Sequence, residues 1–262
     1  MGIIELTVTS CIHLIRSNLT DYTPLSIGSG VIISYKGRYF ICTVSHFSDS
    51  KDQSVGIVTG RVKDGKTEIY YLGDFSYLTQ LQLEEDLDTE DLEYCISNPD
   101  RSGDKLDIAF REIELLDNII QHHRVLKLNG LDEININEGG KTILIVDDDY
   151  QIDTNELCSF YGRIRPDFTT GELKFEEQIY WGLPIKSVGE HFIEMDLGAP
   201  IADHKRFKGC SGGPIIDTRG RLIGLLTHGD KDTAGHSVYG FRFDKIKFWI
   251  DLMYFQEPIN NL

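Results

Sequence analysis

Short segments rich in Val, Ile, Tyr, Phe and Thr recur along the whole chain of 262 residues, with Gly, Asp and Asn between them. Segments of this kind are typical of antiparallel strands in barrels or sandwiches. Apolar residues have helical spacing only at residues 115–126 and in the C-terminal run 243–253. The sequence therefore predicts a mostly β fold with a C-terminal α-helix. We expect strands at residues 3–9, 30–35, 38–44, 54–62, 68–72, 106–113, 141–146, 222–227 and 237–243.

A polar stretch around residues 115–135 separates two β-rich halves of the chain. No internal repeat and no Pro/Ser-rich linker marks another boundary in the sequence. We therefore expect two domains, residues 1–125 and residues 126–262.

The composition argues against several classes of protein. The chain has 26 Lys and Arg against 42 Asp and Glu, a net charge of −16, which disfavours binding to nucleic acid or to an anionic membrane. No apolar run approaches the roughly 18 to 20 residues of a membrane span. The first residues lack the pattern of a secretory signal, and the five cysteines are not spaced as a disulfide framework or a metal knuckle. We therefore expect a cytoplasmic protein in a reducing compartment.

Two acidic segments are candidates for a partner-docking surface or a cation site. Residues 84–93 hold seven carboxylates in ten positions, and residues 147–149 are three aspartates. A solvated loop is the simpler interpretation of both segments. The three aspartates also lack the alternating ligand spacing of a known calcium loop.

The segment 208–214 (KGCSGGP) carries the strongest chemical signal, and a β-type run follows it at 222–226. Glycines on both sides of Ser211 allow a sharp bend that presents a hydroxyl together with backbone N–H groups, as a nucleophile beside an oxyanion hole requires. The segment also matches the G-x-S-x-G pattern of α/β-hydrolases. That alternative fails because its helix would have to begin with two glycines, which are poor helix formers, and a proline, which lacks an N–H. Too few residues also follow Ser211 to supply an acid and then a His.

Three further motifs come before this segment: G-S-G-V-I-I at 28–33, T-x-x-H at 43–46 and D-I-A at 107–109. With G-x-S-G-G-P at 209–214, they resemble, in order, the motifs of chymotrypsin-like (trypsin-fold) serine peptidases. The resemblance spans roughly residues 25–250. It implies two antiparallel six-stranded β-barrels packed together, with a cleft between them.

The resemblance also implies a catalytic triad of His46, Asp107 and Ser211. Ser211 would attack the scissile carbonyl while His46 takes its proton and then delivers it to the leaving amine. Asp107 would hold the His46 tautomer, and the N–H groups of Gly209 and Ser211 would form the oxyanion hole. This chemistry requires no metal and no cofactor.

The residues that bind substrate are predicted from the same resemblance. An extended peptide would pair with Thr227, His228 and Gly229. Lys205 stands where trypsin-like members carry the acidic residue that binds P1, so cleavage after Arg or Lys is disfavoured. Lys205, His228 and His236 favour an acidic or polar P1, against the alternative of a neutral P1 and a merely solvated basic loop.

The sequence departs from the family at the residue before the nucleophile. Secreted members carry an Asp there that pairs with a new N-terminal amine, whereas this chain has Cys210. The usual zymogen switch is therefore not expected, and an intracellular enzyme of this kind needs control by a regulatory protein partner, a ligand or its substrate. Cys210 is also one residue out of register for a cysteine nucleophile. Ser45 and Phe47 replace the Ala and Cys that usually flank the His.

Some residues near these motifs have alternative interpretations. Asp104 and Asp100 lie close to Asp107 in the sequence, and a structural carboxylate at a strand start is common. His122 and His123 are adjacent and would diverge on a helix, so we expect them to be surface residues.

Two functions remain in competition. The first is an intracellular serine endopeptidase of narrow specificity that acts on a protein or peptide substrate. The second is a catalytically silent module of the same fold that binds a peptide or protein partner, with residues 84–93 as a docking surface. The presence of all three triad residues and the oxyanion glycine favours the enzyme. A secreted digestive-type peptidase is disfavoured by the lack of a signal and by the unpaired cysteines.

Overall fold

The computed structural model describes residues 2–49, 52–79, 105–116, 119–126, 133–167, 174–200, 207, 209–230 and 235–255. Their helices are α1 (Ile3–Ser10), the single turn α2 (Ser45–Ser48) and α3 (Phe243–Tyr254). Strands form most of the rest, so the prediction of a mostly β fold with a C-terminal helix is confirmed. The strands are β1 (Cys11–Asn18), β2 (Pro24–Tyr35), β3 (Arg38–Thr43), β4 (Gln53–Lys63), β5 (Lys66–Tyr71), β6 (Ser76–Thr79), β7 (Lys105–Ile113), β8 (Ile120–Gln121), β9 (Arg124–Leu126), β10 (Ile134–Ile136), β11 (Gly139–Gly140), β12 (Leu144–Ile145), β13 (Leu157–Asp167), β14 (Lys174–Val188), β15 (Phe192–Asp196), β16 (Pro214–Asp217), β17 (Leu222–Gly229) and β18 (Ser237–Arg242).

The first half of the chain builds a large sheet. Its strands lie in the order β5-β4-β1-β2-β3-β7-β6, all antiparallel, and β12 adds to β2 in parallel. Among the described residues this sheet is not closed into a barrel, which differs from the six-stranded barrel that the resemblance implies here.

The second half forms a closed barrel of six strands in the order β13-β14-β15-β18-β17-β16. This is the six-stranded antiparallel barrel expected for the C-terminal half. The proposed boundary between residues 125 and 126 stays a prediction. By pairing, β12 belongs to the first sheet and the barrel begins at β13.

One apolar core joins the two halves. Phe40 and Phe110 of the first sheet, Leu225 and Phe241 of the barrel, and Ile246 of α3 are buried in the same cluster. Burial of each large apolar side chain contributes roughly 1.5 to 3 kcal/mol. The core therefore fixes the barrel against the sheet and holds α3 on both.

Two local predictions are wrong, and tertiary packing explains both. Residues 3–9 lie in α1 instead of a strand, because Val8 is buried in a cluster with Tyr161 of β13 and the buried Thr7 hydroxyl bonds to Ser159 of the same strand. Residues 115–126 contain the short strands β8 and β9 instead of a helix. Their apolar spacing is misleading, since Ile119 and Leu126 are buried in two different clusters.

Two further sequence predictions can be compared with the structure. The strand predicted at 141–146 is reduced to β12. His122 and His123 are exposed as expected, although they lie between two strands and His122 contacts the carbonyl of Gly60 at 2.6 Å. The acidic segment 84–93 lies outside the described residues.

Candidate active site

His46 and Asp107 meet at the end of two paired strands of the first sheet. Strand β3 pairs with β7 so that Thr43 faces Ala109, which places the turn α2 beside the start of β7. His46 Nδ1 lies 2.8 Å from Asp107 Oδ2 and 2.9 Å from Oδ1. A carboxylate can only accept, so the Nδ1–H donates and Nε2 is left as an acceptor.

Asp107 also fixes the backbone that carries the histidine. Its Oδ1 accepts the His46 N–H at 3.0 Å and the Ser45 hydroxyl at 3.1 Å. The His46 side chain is nevertheless 53% exposed. The carboxylate therefore orients an imidazole that a bound substrate can still reach.

Ser211 stands on a glycine-rich loop that leads into β16. Gly209 has a φ of +101° and Gly212 a φ of +84°, values that side chains rarely allow. A Cβ at Gly209 would lie 1.9 Å from the Arg163 carbonyl oxygen, and one at Gly212 would lie 2.2 Å from the Ser29 carbonyl oxygen. Both glycines are therefore required by backbone conformation and by close packing.

His46 and Ser211 line one cavity of about 570 Å³ between the sheet and the barrel. Ser211 Oγ donates to the Thr227 carbonyl at 3.3 Å, and no hydrogen bond joins these two described side chains, His46 and Ser211. Hydrogen bonds of this kind are often long or absent in unliganded enzymes. The cavity is lined by Arg16, Ser26, Ile27, Gly28, His46, Phe47, Phe207, Gly209, Ser211, His228 and Gly229.

The predicted oxyanion residues, Gly209 and Ser211, have carbonyls that are fixed by hydrogen bonds. Within the described part of the chain, the N–H groups of Gly209 and Ser211 have no acceptor. The Gly209 carbonyl accepts the Ser29 hydroxyl at 2.5 Å, and the Ser211 carbonyl accepts the Ser29 N–H at 3.0 Å. No described residue therefore competes with an anion for these two N–H groups, and Ser29 fixes the loop through both carbonyls.

Ser29 connects parts of the site, a role that the sequence motifs alone do not reveal. Besides its two bonds to the nucleophile loop, its carbonyl accepts the Thr43 hydroxyl at 2.7 Å. It thereby connects the T-x-x-H segment to the loop of Ser211. The signal was present in the G-S-G motif, but only the folded chain shows which atoms it contacts.

The predicted substrate-binding residues separate into two groups. His228 and Gly229 line the cavity, and Thr227 is buried directly behind Ser211. His236 is exposed, does not line this cavity, and its carbonyl accepts the Leu197 N–H at 2.9 Å. Lys205 lies outside the described residues.

Two aromatic rings hold the His228 side chain in place. The imidazole stacks on Tyr239 with ring centroids 4.9 Å apart and meets Phe192 edge-on at 5.8 Å. The Thr227 hydroxyl lies 2.9 Å from His228 Nδ1 and donates to the Tyr239 carbonyl at 3.0 Å. These contacts give the barrel side of the cavity a fixed wall.

The four described cysteines, Cys11, Cys42, Cys158 and Cys210, are free and buried. Burial raises the pKa of the Cys210 thiol far above its usual range, so the reactive thiolate is disfavoured. This environment is unsuitable for a cysteine nucleophile next to Ser211.

The described residues contain neither a metal-binding cluster nor a membrane-spanning helix. No group of three or more His, Cys, Asp or Glu among them is placed to hold a metal ion. None of their helices is long and apolar enough to span a membrane.

Comparison with known proteins supports the fold. No protein-family model matches the sequence, and no curated protein matches it. Among solved structures, the chain is similar to a crystal structure of the serine endoprotease from Yersinia pestis, with a TM-score of 0.53 and 12% identity. The match covers 96% of this chain and 66% of that one, so this chain spans about two thirds of that protein's length. At this identity the similarity shows the fold alone: the chain has a fold like that of a serine endoprotease.

Proposed function

We propose that this chain is a serine endopeptidase with His46, Asp107 and Ser211 as its catalytic triad. The observation that carries the proposal is that His46, which is hydrogen-bonded to Asp107, borders the same cavity as Ser211. In sequence, 61 residues separate His46 from Asp107 and 104 separate Asp107 from Ser211. The likeness to the fold of a serine endoprotease supports it. The substrate class is a protein or peptide.

Each group has a role that its contacts support. Nε2 of His46 takes the proton of Ser211 during attack on the carbonyl and gives it to the leaving amine. Asp107 accepts from Nδ1 and stabilises the imidazolium. The N–H groups of Gly209 and Ser211 bind the oxyanion, and loss of one such donor typically costs about 10² to 10³ in rate.

A narrow specificity that is not trypsin-like is part of the proposal. Among the described residues that line the cavity there is no Asp and no Glu, so a basic P1 side chain finds no carboxylate there. His228 and Gly229 are the proposed contacts of the acyl side of the substrate, and they extend the edge of β17 toward it. We further propose a reducing, cytoplasmic setting, which the free cysteines support.

The alternative of a catalytically silent binding module is favoured by one observation. The Ser211 hydroxyl donates to the Thr227 carbonyl instead of to His46. In a silent protein this bond would persist when a peptide enters, and the serine would stay unreactive.

Labelling with a fluorophosphonate probe separates the two functions. We expect the wild type to carry the adduct on Ser211, as located by mass spectrometry, and the variants Ser211→Ala and His46→Ala to carry none. Ser187→Ala, which removes an exposed hydroxyl bonded to Glu194, is the matched control and should label as the wild type does. A folded wild type without label would support the silent module.

A further inference from the structure

A cation and a hydroxyl lie together at the edge of the cavity formed by the first sheet. Arg16 of β1 and Ser26 of β2 face each other in the register of the two strands. Both residues line the cavity that holds His46 and Ser211. Arg16 and Ser26 belong to the part of the cavity wall that the first sheet forms, whereas His228 and Gly229 belong to the part that β17 of the barrel forms.

Hydrogen bonds among the described residues satisfy only part of the polar atoms of this pair. Arg16 Nε and Ser26 Oγ are buried, and neither has a hydrogen-bond partner in the described part of the chain. Arg16 Nη1 is 3.5 Å from the His46 carbonyl oxygen, and the guanidinium carbon lies 5.7 Å from the centroid of the Phe47 ring. Phe47 and the backbone of His46 therefore hold the guanidinium beside the site while part of its donor set stays unused.

The charge of the cavity also favours an anionic ligand. Arg16 is the permanently charged residue among its described lining residues, and no carboxylate accompanies it there. The whole chain has a net charge of −16, so this is a local reversal of sign. Partial burial lowers the pKa of Arg16, since desolvation disfavours its charged form, and a nearby anion would offset that effect.

The position of Arg16 and Ser26 relative to the catalytic groups determines which side of a substrate reaches them. If the acyl side pairs with β17, as the proposed function requires, the chain that departs with the leaving amine extends past His46 toward β1 and β2. A carboxylate offers two acceptor oxygens, which match a guanidinium and a hydroxyl.

We propose that Arg16 and Ser26 bind an acidic side chain of the substrate on the leaving-group side, at one of the first two residues after the scissile bond. The substrate class is therefore a polypeptide with Asp or Glu just after the cleaved bond. This inference rests on the proposed function for the direction of the bound chain.

Matched peptides test it. Quenched fluorescent peptides with mixed residues on the acyl side carry either Glu or Gln at the first or second position after the bond. For the wild type we expect kcat/KM to be about tenfold higher with Glu, because charge-assisted hydrogen bonds are worth more than neutral ones. Arg16→Gln should remove the preference, and Arg16→Glu should transfer it to peptides with Lys. Arg61→Glu, an exposed charge change on β4 away from the cavity, should keep the preference for Glu.

A binding measurement separates failure of this inference from failure of the proposed function. Fluorescence anisotropy of the same peptides on Ser211→Ala, with and without Arg16→Gln, requires no catalysis. If Glu peptides bind more tightly than Gln peptides and this difference depends on Arg16, the acidic subsite is retained. If the wild type also never labels at Ser211, the peptidase is rejected while the subsite stands. Equal binding of Glu and Gln peptides, or binding of neither, would overturn the subsite whatever Ser211 does.

Discussion

The two parts of the proposed triad are held in different ways. His46 and Asp107 are bound to each other within the first sheet by contacts of the ring, the backbone and the neighbouring Ser45. Ser211 is bound to the barrel through the Thr227 carbonyl, and its loop meets the first sheet at Ser29. The base is thus oriented by its own half, whereas alignment of the nucleophile depends on a contact between the halves.

The largest expected effect comes from disturbing the His46–Asp107 pair, which the first sheet holds by itself. Asp107→Asn should lower the rate of Ser211 labelling and of peptide hydrolysis on the order of 10⁴-fold, because an amide leaves His46 in the wrong tautomer. The matched control is Asp244→Asn, which removes a carboxylate paired with Arg242 at the start of α3. A loss of less than tenfold in Asp107→Asn would mean that another group orients His46.

The next effect comes from the contact between the halves. Gly212→Ala would place a methyl group against the Ser29 carbonyl and the Thr43 hydroxyl at a positive φ, and we expect it to lower the free energy of unfolding by about 3 kcal/mol or more. Gly65→Ala is its control, because Gly65 has a similar φ of +75° in open space and should cost only about 1 kcal/mol. Urea unfolding measures both, and equal losses would contradict the packing argument.

A third effect depends on pH and concerns a histidine between the halves. His13 of β1 is buried, its ring nitrogens lack partners in the described part, and its edge packs on Tyr161 of β13 at 5.7 Å. Burial, and next the charges of Arg163, Lys141 and Arg124, lower the pKa of His13 well below 6.5. The unfolded chain therefore binds a proton there that the folded chain does not.

This contribution to stability is present above pH 6.5 and is lost as the pH falls below it, by up to about 1.4 kcal/mol per pH unit. Urea unfolding between pH 7 and pH 5 should show a shallower slope for His13→Phe than for the wild type. His123→Phe, at an exposed position, should retain the wild-type slope. Identical slopes for His13→Phe and the wild type would show that His13 is protonated in the folded state.

The smallest expected effect tests whether the contact between the two halves at Ser29 aligns Ser211. Ser29→Ala removes the hydroxyl bonded to the Gly209 carbonyl, and we expect it to cost about 1 kcal/mol of stability and about tenfold in labelling rate. Ser159→Ala removes a buried hydroxyl bonded to Thr7, and it should lower stability by a similar amount with the labelling rate unchanged. If both variants label as the wild type does, Ser29 is not a positioning residue.

Local patterns identified three residues that the fold brings close together, and they were insufficient for the residues around them. A strand end followed by His46, a strand start that contains Asp107, and glycines around Ser211 are short-range signals. The folded chain joins His46 to Asp107 by hydrogen bonds and places His46 and Ser211 at one cavity. The role of Ser29 could not be predicted, because its bond to Gly209 joins residues 180 positions apart. The same reason applies to Arg16, whose guanidinium contacts the backbone of a residue 30 positions away.

Local patterns also failed where distant packing overrides propensity. The segment IIELTVTS forms α1 although its β-branched residues favour a strand, because Val8 and its neighbours are buried against the barrel. The closed barrel and the first sheet, which is not closed among the described residues, likewise differ in pairings between distant residues that no short stretch of sequence contains.

The bond between Ser29 and Gly209 also has a consequence for the timing of folding. Contacts between residues so far apart form slowly, because the loop that they close is long. During synthesis the chain carries His46 and Asp107 long before it carries Ser211, and the glycine loop has no support until the barrel docks on the sheet. On the proposed function, a nascent chain is therefore inert, and proteolytic capacity arises in one late step that needs both halves.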